Sequence, residues 1–377
     1  MSKNIKLLSI IETLGKGGAE RVLVNTLPKL QKQGIDCEVA ILFERDDLAI
    51  ELEEQGIKVH RLLLSHKWNV IEGVSKLNKL LKTNDYDIIH AHLFFSYFYT
   101  GLTTVFNPKI KILTTFHNLG FDEYPANTLV KKIRKKLDRL IVTKLFDRTT
   151  AVSRAVKEHY AKHFSTNDID VIFNSFPIDD FEKYQQEESY SLLEKHLHIE
   201  KTDFVVLTPG RFVEKKGHKY LIEAIKVLNL KHSNLIFVFV GKGSLLNSLK
   251  DQAPSNVKFI YEVQHAELMK IYKEVDLIVI PSVYEAFGLV VGEAMIMEKP
   301  IVATNVDGII EMVTNEKEGL LVPSKDSQAL AQAIERLYDD EPLRKFLAKN
   351  AKKKIKLFDT KIIAKQWKVY YEEMLKS

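Results

Sequence analysis

A short β-branched apolar run followed by a helical stretch recurs along this 377-residue chain, and that alternation leaves few folds open. Residues 5–11 (IKLLSII), 37–43, 58–64, 86–92, 111–117 and 148–153 read as strands, with helical segments such as 18–34 between most of them. A strand that is apolar on both faces needs cover on both faces, and a parallel sheet wrapped by crossover helices supplies it. The rhythm stops over the polar stretch 174–203 and resumes at 204–210, 235–241, 257–261, 276–282 and 300–305. The expected fold class is therefore α/β, with two Rossmann-like, doubly wound parallel-sheet domains over residues 1–175 and 176–360. Such sheets bind ligands beyond the carboxyl ends of their strands, so the two domains are expected to face a central cleft. Residues 361–376 read as a last helix with Ile362, Ile363, Trp367, Tyr370 and Tyr371 along one side. No strand follows it, and it is expected to pack back on the first domain.

Composition narrows the setting. The chain is too long for one small core. No apolar run approaches the ~20 residues of a membrane span, and the opening MSKNIKLLSIIETLG lacks a signal-peptide layout. A single cysteine, Cys37, excludes an internal disulfide and fits a reducing cytoplasm; its strand-like setting makes it a core residue. The net charge is +5, but residues 101–150 carry 10 basic against 4 acidic residues, most of them in KKIRKKLDRL, 131–140. Lys131, Lys132, Arg134, Lys135, Lys136 and Arg139 read either as a solvated helix face or as a contact with the anionic inner membrane surface. Nucleic acid is not expected, because no helix-turn-helix, zinc or aromatic RNA-binding signature accompanies the patch.

The most informative short stretch is PSVYEAFGLVVGEAM, 281–295. Glu285 falls in the loop after a buried strand, Gly288 near the first turn of the next helix, and Glu293 one and a half turns further on. Free N–H groups and the helix dipole make that turn an anion site. A carboxylate beside it can accept hydrogen bonds from sugar or ribose hydroxyls. The bland alternative has Glu285 capping the helix and Glu293 paired with a lysine. It weakens because TPGRFVEKKG, 208–217, sets Arg211 and Lys216 at the same sheet edge, with Lys216–Gly217 opening a helix. Arg forks onto phosphate oxygens and Lys supplies a point charge. The glycine turn IETLGKGGAER (Gly15, Gly17, Gly18) lacks the dinucleotide spacing, and a tight turn explains it equally well. His117, at a strand end, is by itself more often a satisfied polar residue. His90 and His92 share a strand face but have no third metal ligand at suitable spacing. The D-x-D of Asp85 and Asp87 precedes its strand and reads as a turn.

Together these residues resemble the retaining glycosyltransferases of family four, which have the GT-B architecture. The resemblance runs over nearly the whole chain. Its most specific element is similar to the family's E-x7-E motif, followed by GRFVEKKG, VFVGKGS and GGAER. It implies that Glu285 contacts the donor sugar and that the backbone of Phe287, Gly288 and Leu289 holds sugar and phosphate. Glu293 would bind the ribose, while Arg211 and Lys216 neutralise the diphosphate in place of a metal. By the same resemblance Gly210 and Gly241 border the nucleotide, Val263 meets the base by its backbone, His117 reaches the sugar, and Gly17 and Gly18 leave room for diphosphate and acceptor. The family's N-G-V-D before the linker is replaced here by NSFP, Asn174–Pro177.

The expected reaction is transfer of a hexose or N-acetylhexosamine from a nucleotide sugar, with UDP-linked GlcNAc, GalNAc or Gal foremost, to a hydroxyl of a glycan or lipid-linked acceptor. No cofactor and no metal are expected. GGAER resembles bacterial enzymes of lipid-linked glycan, capsule or O-antigen synthesis, which implies a cytoplasmic protein at the membrane face. A nucleotide-sugar epimerase and a non-catalytic nucleotide-sugar binding module are the alternatives; a glycosidase using Glu285 and Glu293 would have no need of the cationic pair.

Overall fold

The computed structural model describes residues 4–120, 129–166, 168–186, 193, 197, 199–200, 202–261 and 263–377. The chain divides into two compact units, residues 1–176 with 358–377, and residues 177–357.

In the first unit seven strands form one parallel sheet: β1 (Lys6–Ile11), β2 (Asp36–Ile41), β3 (Lys58–Arg61), β4 (Ile88–His92), β5 (Lys111–Phe116), β6 (Arg148–Ala151) and β7 (Asp170–Val171). Their order is β3-β2-β1-β4-β5-β6-β7. The intervening helices are α1 (Gly18–Gln31), α2 (Ala49–Glu53), α3 (Val70–Lys82), α4 (Phe94–Thr104), α5 (Leu129–Leu145) and α6 (Arg154–Phe164). α3, α4 and α5 lie side by side, while α1 packs against the C-terminal helix, Thr360–Lys376. That helix puts Ile363, Ala364, Trp367, Tyr371 and Met374 into the same core as Leu7, Ile11, Leu23, Leu27 and Val39. The NSFP segment joins it: Phe176 donates its N–H to the Phe358 carbonyl (2.9 Å) and accepts from the Thr360 N–H (2.9 Å).

The second unit opens with α7 (Ile178–Gln186), a helix within the stretch that reads only as polar linker in the sequence. Its parallel sheet holds β8 (Phe204–Pro209), β9 (Leu235–Val240), β10 (Val257–Ile260), β11 (Leu277–Ile280), β12 (Ile301–Thr304) and β13 (Leu320–Val322), in the order β10-β9-β8-β11-β12-β13. The helices are α8 (His218–Leu228), α9 (Leu246–Gln252), α10 (His265–Glu274), α11 (Leu289–Ile296), α12 (Asp307–Ile310), α13 (Ser327–Asp339) and α14 (Glu341–Ile355). β8, β9 and β11 are apolar and almost wholly buried, as strands covered by helices on both faces must be.

Each sheet reverses its strand order once, between β1 and β4 in the first unit and between β8 and β11 in the second. At such a switch point successive crossovers leave to opposite faces, so the loops beyond the carboxyl ends part and leave a crevice. Three details differ from the sequence reading. β3 ends at Arg61 instead of running to residue 64, and β7 and β13 carried no strand signal because they are only two and three residues long.

Trp367 is 7% exposed and stacks on Tyr371 with ring centroids 5.5 Å apart. Trp367→Ala is expected to destabilise the first unit by about 3–5 kcal/mol. Urea unfolding followed by circular dichroism measures this, and a loss under 1 kcal/mol would mean that the helix is not part of that core.

Candidate functional site

At the switch point of the second sheet, backbone contacts bind three loops together before any side chain is considered. The loop after β8 reaches the one after β9: Phe212 donates its N–H to the Lys242 carbonyl (2.9 Å), and its own carbonyl accepts from Leu245 (3.0 Å). It also reaches the loop after β11, where the Val283 N–H donates to the Lys215 carbonyl at 2.7 Å. Gly217 makes that approach possible. Its φ is +69°, and a Cβ there would stand 1.9 Å from the Pro281 carbonyl oxygen. Gly241 has the same function between the first two loops, with a Cβ position 2.0 Å from the Gly210 carbonyl. Both conformation and space exclude a larger residue.

This framework sets Lys216 against Glu285. The Lys216 ammonium forms an ion pair with Glu285 Oε1, with the two side chains 17% and 13% exposed. The same oxygen accepts from Ser282 Oγ at 2.8 Å, and the Glu285 carbonyl accepts from the Gly308 N–H at 3.1 Å. Lys216 does not open a helix. It closes a 3₁₀ turn, Glu214–Lys216, and α8 starts at His218 with Gly217 as its N-cap. Arg211 lies exposed on the loop that begins at Gly210.

Glu285 does not cap α11 either. The N-cap is Gly288, at φ +86°, which has no side chain to accept a first-turn N–H. Phe287 is buried just before it, and Leu289 opens the helix. Glu293 meets a phenol: Tyr272, fully buried on α10, donates to Glu293 Oε2 at 3.2 Å. Burial and the Glu293 charge push the Tyr272 hydroxyl well above its ordinary range, so it remains a donor. Tyr272 and Ser282 escape sequence reading differently. Ser282 stands three residues before Glu285 within the same motif, whereas nothing in the α10 sequence points to a strand end.

The corresponding edge of the first sheet carries the other candidates. Gly17 is the N-cap of α1 and Gly18 its first residue. His117 follows β5, and its Nε2 lies 3.0 Å from His92 Nδ1. His90 Nδ1 meets the Tyr371 hydroxyl at 2.8 Å and its Nε2 meets Thr115 Oγ1 at 2.6 Å. Burial holds the His117 imidazole down to about 4 and those of His90 and His92 well below the usual histidine range. Among the described residues no group of three or more His, Cys, Asp or Glu could hold a metal ion. Val263 lies in the loop after β10, half-buried.

Two family profiles match the chain: Glycosyltransferase Family 4 over residues 16–180 and Glycosyl transferases group 1 over residues 191–354. A glycosyltransferase of Methanocaldococcus jannaschii, itself uncharacterized, is 26% identical over 334 residues, 84% of this chain and 85% of that one. The Escherichia coli UDP-Gal:alpha-D-GlcNAc-diphosphoundecaprenol alpha-1,3-galactosyltransferase is 28% identical over 298 residues, 76% of this chain and 74% of that one. Among solved structures, HepE of Anabaena in complex with UDP and glucose superposes with a TM-score of 0.83 at 21% identity, over 98% of this chain and 100% of that one. The chain belongs to glycosyltransferase family 4, has the GT-B fold, and is a glycosyltransferase.

His218, the residue after Gly217, is 3% exposed between Phe212 and Phe239, with ring centroids 5.1 and 5.3 Å away. Burial, then the nearby Lys216 charge, hold its imidazole down to about 3. Its folded pKa lies below the unfolded value near 6.5, so its stabilisation is complete above pH 6.5 and declines as pH falls toward 3. Over pH 6.5 to 5 this amounts to roughly 2 kcal/mol. His218→Leu is expected to flatten the dependence of Tm on pH in that window; an unchanged slope would contradict the assignment.

Proposed function

We propose that this enzyme moves a hexose or N-acetylhexosamine from a UDP-linked donor to a hydroxyl of a lipid-linked saccharide, with retention of the anomeric configuration. The observation that carries the reading is the meeting of Lys216, Glu285 and the glycine-capped first turn of α11 at one switch point. A nucleoside diphosphate has two negative phosphates to seat and a sugar whose hydroxyls must be oriented. Backbone N–H groups at Gly288 and Leu289 suit the phosphates, and Arg211 and Lys216 supply positive charge. Glu285 accepts from a sugar hydroxyl while Lys216 and Ser282 hold its carboxylate. Glu293, oriented by Tyr272, accepts from the ribose. Gly210, Gly241 and the Val263 backbone border nucleotide and base, Gly17 and Gly18 leave room for diphosphate and acceptor, and His117 contacts the transferred sugar. The E. coli relative, named for a UDP-Gal donor and a diphosphoundecaprenol acceptor, and the UDP complex of HepE support this substrate class.

The chemistry then rests on the leaving group. The acceptor hydroxyl attacks on the face from which UDP departs, and the departing phosphate oxygen takes its proton. Arg211 and Lys216 stabilise the charge that grows on that phosphate, a task other transferases give to a divalent cation. Arg211→Ala or Lys216→Ala is expected to lower turnover 10²–10³-fold, or ~3–4 kcal/mol, with folding intact. UDP release from a panel of UDP sugars measures it, with EDTA expected to leave the wild-type rate unchanged. Wild-type turnover in either purified variant refutes the leaving-group role.

We further propose that a lipid-borne acceptor is met at the cytoplasmic face of the membrane. α5 exposes Lys135, Lys136 and Arg139 together with Leu137 (42% exposed) and Leu140 (57%), while Asp138 between them is buried. The side chains of Lys131, Lys132 and Arg134 lie outside the described residues. Cations beside exposed leucines suit an interfacial helix on an anionic bilayer, at ~1 kcal/mol for each basic residue near the surface. No helix among the described residues is long and apolar enough to cross a membrane. Sedimentation with phosphatidylglycerol liposomes is expected to show binding that weakens between low and high salt, and equal recovery in the supernatant at both removes the proposal.

A further inference from the structure

We propose that His92 is a positioning residue for the transfer reaction, fixing the ring and tautomer of His117 so that Nδ1 is the nitrogen His117 offers to substrate. This rests on the reading of His117 as a sugar contact.

The geometry is built in layers. β4 and β5 run in parallel, with His92 level with Thr115. His90 and His92 are two residues apart on one strand and share a face, their ring centroids 4.0 Å apart. His90 is held at both nitrogens, by Tyr371 at 2.8 Å and Thr115 at 2.6 Å, and Trp367 lies 4.8 Å away. It forms a fixed wall against which the His92 ring rests. His92, 5% exposed, turns its Nδ1 to His117 Nε2 at 3.0 Å. Burial keeps both rings neutral, so each carries one proton and only one of the two facing nitrogens can donate. Whichever it is, the tautomer of His117 is coupled to that of His92, and Nε2 is occupied. His117 Nδ1 is then the remaining nitrogen, buried and without a hydrogen-bond partner among the described residues. Both rings border a cavity of about 30 Å³. The C-terminal helix thus supports His117 indirectly, from Tyr371 through His90 and His92.

The test uses the full chain labelled with ¹⁵N. In the wild type His117 is expected to show one neutral tautomer between pH 6 and 8. His92→Leu removes the partner nitrogen and is expected to give an averaged pair of shifts. His92→Asn sets an amide where Nδ1 stood and is expected to restore one form. A mixture in the wild type, or a single tautomer in His92→Leu, overturns the proposal without any activity measurement. Turnover is then read with whichever of UDP-glucose, UDP-galactose and UDP-N-acetylglucosamine supports it. His92→Leu is expected to lower kcat 10–100-fold with KM within threefold, the scale of a misplaced contact, and His92→Asn to recover at least half of that loss on a logarithmic scale. Equal losses in both variants point to packing alone and overturn the proposal. Unchanged turnover in His92→Leu beside a large loss in His117→Ala removes this inference only. Unchanged turnover in His117→Ala removes the reading of His117 as well.

Discussion

Gly217 lets the loop after β8 pass against the Pro281 carbonyl of the loop after β11, and the chemistry of the second unit depends on that approach. Two strands in a sheet fix only where their ends lie. The loops beyond them are free to diverge, and long side chains on free loops average their positions. Here the backbone removes that freedom through the Val283–Lys215 hydrogen bond and a glycine that fits where no other residue can. Lys216 and Glu285, 69 residues apart in sequence, are held by carbonyl and amide groups before their own ion pair adds anything. Such preorganisation allows a charged group to act on a developing charge without first being moved into place.

The two candidate regions differ in electrostatic character, and the difference follows from their partners. In the second unit Lys216 and Glu285 form a partly buried ion pair, Arg211 stands exposed, and Glu293 is held by a neutral phenol. Burying an ion pair costs desolvation that mutual attraction offsets only in part. This pair is therefore weak evidence for stability, and its placement at a sheet switch point is better evidence for binding. The first unit instead offers imidazoles kept neutral by burial, suited to hydrogen bonding with hydroxyls and poorly suited to holding phosphate.

Most of the fold was legible because buried parallel strands must be apolar on both faces, a pattern that survives without knowledge of their neighbours. β7 and β13 were not, since two or three residues cannot establish a period, and α7 was hidden in a polar stretch. Arg211, Lys216 and Glu285 were legible as residues placed just after strands. Which of them touch was not, because that depends on the turn Gly217 permits. The Glu293–Tyr272 pair was unreadable because it joins a motif helix to one with no motif. His90 and His92 were read correctly as sharing a face, but as imidazoles lacking a third metal ligand; their partners are other side chains, Tyr371 lying 281 residues away from His90. A sequence shows which residues share an element long before it shows which elements share a contact.

The C-terminal helix shows why the first unit needs both ends of the chain. α1 presents Leu23, Val24, Leu27 and Leu30 to a core whose other side is formed by Ile363, Trp367, Tyr371 and Met374. Without that helix the apolar face of α1 would meet water, at roughly 25 cal/mol for each Å² uncovered. The same helix supplies the hydroxyl that holds His90. Gly17, at the amino end of α1, and His92, beside His90, therefore draw their placement from one distant segment. Residues 1–176 carry every candidate of the first unit, yet they lack part of the core that holds those candidates in position.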